Sequence, residues 1–63
     1  MVKIAIVEDD KAMADTLTRH LNRFSIERKE KFSLRVYTNP TDFLSSGAIF
    51  DIVFFDIQFE NDM

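Results

Sequence analysis

The stretch Ile52-Val53-Phe54-Phe55 is apolar at every position and stands between Asp51 and Asp56. Side chains alternate across a strand, so Val53 and Phe55 need cover on one face and Ile52 and Phe54 on the other. Strands of this kind belong to parallel sheets with helices on both sides. The N-terminal run Ile4-Ala5-Ile6-Val7 has the same character and ends in Glu8, Asp9 and Asp10. Two buried strands, each finishing on acid, define what this chain can become.

Between them the periodicity changes twice. Ala14, Leu17, Leu21 and Phe24 recur at helical spacing, which predicts a helix from Lys11 with one apolar stripe. Asp10 is placed to cap it by accepting from its first free amides. The helix is expected to end near Ser25, where the polar SIERKEK segment reads as a loop. Phe32, Leu34 and Val36 then alternate with Ser33, Arg35 and Tyr37, a strand with one wetter face. In NPTDFLSSG, Asn39 can cap, Pro40 fits the first helical position and Asp42 sits where a capping-box acid would. Gly47 supplies a left-handed stop. A last strand runs from about Asp51 to Asp56. The phenylalanines follow strand and helix periodicity and are expected in the core.

The predicted order is β-α-β-α-β, a three-stranded parallel unit with right-handed crossovers. The outer strands of the sequence are apolar throughout and the middle one alternates, which places the middle one at an edge. The expected order in the sheet is therefore 2-1-3. Parallel strands lie about 4.8 Å apart, so Glu8, Asp9 and Asp56 can converge at neighbouring C-terminal tips. Open parallel sheets bind ligands at that end, where the strand order reverses.

Sixty-three residues make one small domain, spanning 1–63. A chain of this size buries only roughly 60% of its unfolded surface. The absence of cysteine excludes disulfides and thiolate metal sites, and the single His20 cannot build a histidine-rich one. His20 reads as an exposed helix residue. The net charge of -3 and scattered bases, with ERKEK interrupted by its own glutamates, leave no basic face for nucleic acid. No apolar run has the length of a membrane span or signal peptide. A cytoplasmic globular domain is expected.

Clustered carboxylates repel, and each raises the cost of ionising the next. A cation or a proton must relieve them. An all-oxygen donor set suits Mg2+, which keeps several waters and adds phosphate oxygens. Such an ion draws in a phosphoryl group, and a carboxylate beside it can attack phosphorus. The bland alternative for Glu8 and Asp9 is a solvated turn whose acids favour a helix N-terminus.

IAIVEDD together with DIVFFDI resembles the N-terminal half of a response-regulator receiver domain from two-component signalling. The resemblance covers essentially the whole chain and implies an incomplete flavodoxin-like receiver fold. It implies that Asp56 is the phosphoacceptor, that Asp9 binds Mg2+ directly and that Glu8 acts through a metal-bound water. Gln58 matches the position that offers the metal its backbone carbonyl. Asp10 keeps the role of helix cap. The implied partner is a sensor histidine kinase, and the implied activity is that of a phosphoacceptor switch rather than an enzyme. Glu60 stands where the family often has proline, as in some regulators with a LytTR-type output domain. The family's hydroxyl residue on a fourth strand and lysine on a fifth have no counterpart through Met63.

Even without that resemblance, strand three should not be an edge, because its free backbone groups invite pairing. The chain is therefore expected to be a fragment of a longer protein, or to self-associate through the third strand or exposed sheet faces. Two other function classes compete. One is a magnesium-dependent phosphatase or phosphotransferase of the haloacid-dehalogenase kind, which generally wants a second aspartate where Gln58 stands. The other is a non-catalytic interaction module. A nucleotide-binding Rossmann half is set aside, since the one glycine makes no phosphate-cradling loop.

Overall fold

The computed structural model describes residues 1–56. Five elements follow one another: β1 (Val2–Glu8), α1 (Lys11–Arg28), β2 (Phe32–Tyr37), α2 (Pro40–Ser45) and β3 (Ile52–Asp56). The strands form one parallel sheet in the order β2-β1-β3, as the pattern of apolar residues predicts. β1 is the central strand, and Ile4, Ala5, Ile6 and Val7 are all fully buried.

The two helices lie on opposite faces. Phe43 of α2 packs against Ala5, Val7 and Tyr37, whereas Met13 and Leu17 of α1 stand beside Ile6 and Phe54. Alternation along the strand separates these sets by one sheet thickness.

Both helix starts follow their capping residues. Asp10 Oδ1 accepts from the amides of Ala12 and Met13 at 2.9 and 3.3 Å. Asn39 Oδ1 accepts from the Asp42 amide at 2.8 Å, and its Nδ2 donates to the Asp42 carboxylate at 3.0 Å. Gly47, at φ 69°, supplies the left-handed residue after α2.

The end of α1 differs from expectation. The helix runs to Arg28 rather than stopping near Ser25, and Lys29 at φ 55° closes it. The Glu30 amide returns to the Ser25 carbonyl at 3.0 Å. The polar segment read as a loop is a solvent-facing last turn. It is held by an Arg23–Glu27 pair at 3.3 Å and by Arg28 lying 5.1 Å over the Phe24 ring.

The wetter face of β2 holds at Ser33 and Arg35 but not at Tyr37, which is only 9% exposed. Its ring meets those of Phe43 and Phe50 edge-on, with centroids 5.5 and 6.2 Å away. α2 and the segment after it cover that end of the sheet and no more. Val36, expected inside, is exposed, while Phe32 and Leu34 on the same face of β2 are half-buried. The Tyr37 hydroxyl is buried without a hydrogen-bond partner among the described residues. An unmet buried hydroxyl costs free energy, so Tyr37→Phe should leave the folding stability unchanged or raise it, by on the order of 1 kcal/mol. A clear loss on melting would contradict the unpaired hydroxyl.

The phenylalanines do not form the core. Of the six described, Phe32, Phe43 and Phe50 are half-buried and Phe24, Phe54 and Phe55 are exposed. Fully enclosed side chains come instead from β1 and from Ala14. The reason lies in the helix placement: α1 packs chiefly on β1 and β2, and α2 on β2. β3 has a strand neighbour on one side and little above or below it. All five of its residues are exposed.

Candidate functional site

β1 and β3 pair in parallel with Ile4 opposite Ile52, Ile6 opposite Phe54 and Glu8 opposite Asp56. A second device fixes this register at the other end. The Lys3 amide donates to Asp51 Oδ2 at 2.8 Å, and the Asp51 amide donates to the Lys3 carbonyl at 2.8 Å. Asp51 thus clamps the start of β3 so that Asp56 falls beside Glu8.

The chain turns sharply after Glu8. The Asp10 amide donates to Glu8 Oε2 at 3.0 Å, while the Asp10 carboxylate is committed to the helix start. Glu8 is 7% exposed, whereas Asp9 and Asp56 face solvent. The bond from the Asp10 amide favours the ionised Glu8. Burial, a hydrogen bond with the Asp9 side chain and the charges of Asp56 and Asp9 outweigh it, so the Glu8 pKa is raised.

That shift has a consequence for stability. Glu8 takes up its proton more readily in the folded chain than in the unfolded one. The stabilisation is present below the ordinary glutamate range and is lost as pH rises through the raised value. Glu8→Gln keeps an oxygen for the Asp10 amide and removes the charge. The variant should melt higher than the parent near pH 7, and the difference should shrink toward about pH 4. A difference that grows on acidification would reverse the sign of the argument.

Three of the sequence-predicted residues therefore share one end of the sheet. Glu8 and Asp56 are register partners, and Asp9 follows in the turn. Among the described residues no group of three acids or histidines is arranged to enclose a metal ion. Gln58 and Glu60 lie outside the described residues. The donor chemistry nonetheless fits a hard cation, because the charges raising the Glu8 pKa are those that a cation would offset. Magnesium is commonly held by one or two carboxylates plus waters and phosphate oxygens, not by an all-protein cage.

A feature not foreseen from the sequence adjoins these acids. A groove of about 380 Å³ runs between α1 and β3, with Glu8 and Asp56 at its acidic part. Met13, Thr16, Leu17 and His20 form its helical wall, and Ile6, Phe54 and Phe55 are on the sheet side. The helical stripe expected from the sequence, Ala14, Leu17, Leu21 and Phe24, shares only Leu17 with this wall. No helix is long and apolar enough to cross a membrane among the described residues. Comparison with protein-family models, with curated proteins and with solved structures returns no match.

Proposed function

We propose that this chain is part of a receiver domain, a phosphoacceptor switch of two-component signalling in the cytoplasm, and that Asp56 takes the phosphoryl group. The observation carrying this reading is the pairing of Glu8 with Asp56 at adjacent C-terminal strand ends, with Asp9 in the next position. An exposed carboxylate beside a buried, charge-burdened one is a nucleophile next to a cation-seeking site.

Glu8, Asp9 and Asp56 would hold Mg2+, with the Gln58 carbonyl as a further donor by resemblance. The bound ion would supply neutralisation of phosphoryl oxygens. The phosphodonor is a phosphohistidine on a sensor kinase. An Asp56 carboxylate oxygen attacks phosphorus, the phosphorus–nitrogen bond breaks, and the imidazole nitrogen leaves, taking up a proton from water. The product is an acyl phosphate. Water later attacks its phosphorus, returning inorganic phosphate and the free carboxylate. The exposure of Asp56 gives both donor and water access. The added charge at a strand tip is the kind of local change that biases a nearby loop or helix.

Incubation with acetyl phosphate and Mg2+ tests this directly. One acid-stable, base-labile phosphate per chain is expected, and Asp56→Asn should abolish it. Labelling that persists in Asp56→Asn would falsify the assignment. Turnover of many phosphoesters would instead favour the phosphatase class.

A further inference from the structure

The opposite end of the sheet carries a second, chemically different cleft. Because β1 pairs with β2 with Lys3 opposite Ser33 and Ala5 opposite Arg35, these residues share the α2 face of the sheet. On that face α2 is only six residues long and covers the C-terminal end, through Phe43 on Val7 and Tyr37. The N-terminal end stays open. The connection from α2 to β3 bends past it and brings Ala48, Ile49 and Phe50 alongside Lys3, Ser33 and Arg35. Together they line a cleft of about 310 Å³.

The composition of its walls is uneven. One wall holds two cations and a hydroxyl, and neither Lys3 nor Arg35 makes an ion pair among the described residues. The other is apolar: Phe50 is anchored against Tyr37 and Phe43, whereas Ile49 is 85% exposed. Lys3 and Arg35 stand diagonally on adjacent strands of one face, with Ser33 opposite Lys3, and both line the same cleft. An arginine fork matches carboxylate or phosphate oxygens, and a lysine adds a point charge. An exposed isoleucine beside them gains only if something apolar covers it.

We propose that this cleft binds a small organic anion, a phosphate or carboxylate group carried on an aryl or short acyl body. The anionic group lies between Lys3 and Arg35 with Ser33 donating to it, and the apolar body rests on Ile49 and Phe50. This site is separate from the Glu8–Asp56 end and stands whether or not Asp56 accepts a phosphoryl group.

The test is an amide chemical-shift titration of the chain with phenyl phosphate, benzoate and inorganic phosphate in turn. Both organic anions should shift Lys3, Ser33, Arg35 and the 48–50 segment, and raised salt should weaken them. Arg35→Gln should weaken both by about tenfold, because it removes a charged fork. Ile49→Ser should bring phenyl phosphate down to the level of inorganic phosphate while leaving the latter unchanged. Both substitutions are at exposed positions, and amide dispersion checks that the fold persists. No shift in the 48–50 segment, shifts confined to residues 8–10, or equal binding by either variant would overturn the proposal. So would inorganic phosphate binding as tightly as phenyl phosphate.

Discussion

Ile6→Ala should strip the chain of a large part of its stability and lower its urea midpoint far more than a surface truncation does. Ile6 is fully buried at the middle of the central strand, between β2 and β3. Truncating a buried isoleucine typically costs about 2–5 kcal/mol, from lost transfer energy and the cavity left behind. Domains hold roughly 0.05–0.15 kcal/mol per residue, so a chain of this length has on the order of 3–9 kcal/mol in total. The substitution removes a large part of that. Ile26→Ala provides the comparison, since Ile26 is exposed on the last turns of α1. Its effect should stay within about 0.5 kcal/mol, as for surface changes generally. Urea midpoints of the two variants check the contrast. Equal midpoints would mean that β1 is not the centre of the core.

What could be read in advance divides along a physical line. Properties set by a residue and its immediate neighbours were legible. Asp10 and Asn39 cap because a short acceptor side chain reaches the next free amides, whatever the rest of the fold does. The order 2-1-3 followed from which strands could tolerate water on one side. That Glu8 and Asp56 lie at the same end of the sheet followed from that order, because parallel neighbours run the same way; their direct pairing is set by the register that Asp51 holds.

Properties set by how far an element reaches were not legible. Periodicity told which way Phe54 and Phe55 point, but not that little would stand above them. Periodicity does not give the length of α1 because its last turn, Ile26 included, buries no apolar side chain and is held only by surface contacts, Arg23–Glu27 and Arg28–Phe24. Alternation puts Tyr37 on a wet face, because it cannot say where a six-residue helix sits. The Asp51 clamp on Lys3 was hidden for a different reason. It joins residues 48 positions apart, and only the finished sheet brings them together.

Self-association through β3 is the second large expected effect. The strand sits at a sheet edge with Ile52, Val53, Phe54 and Phe55 between 37% and 52% exposed. Edge strands are ordinarily protected by charge, proline, a bulge or cover. The four residues from Ile52 to Phe55 contain none of the first two, and their register with β1 is unbroken. Pairing with another copy would satisfy the outer backbone groups and cover apolar surface at once. The acids at Asp51 and Asp56 cap the ends of that stretch without interrupting it. In sedimentation at tens of micromolar the chain should therefore run heavier than 7.4 kDa. Val53→Lys places a charge on the exposed strand, away from the Glu8–Asp56 pair, and should restore the monomer mass. A parent chain that sediments as a monomer would show that the acids flanking β3 are protection enough.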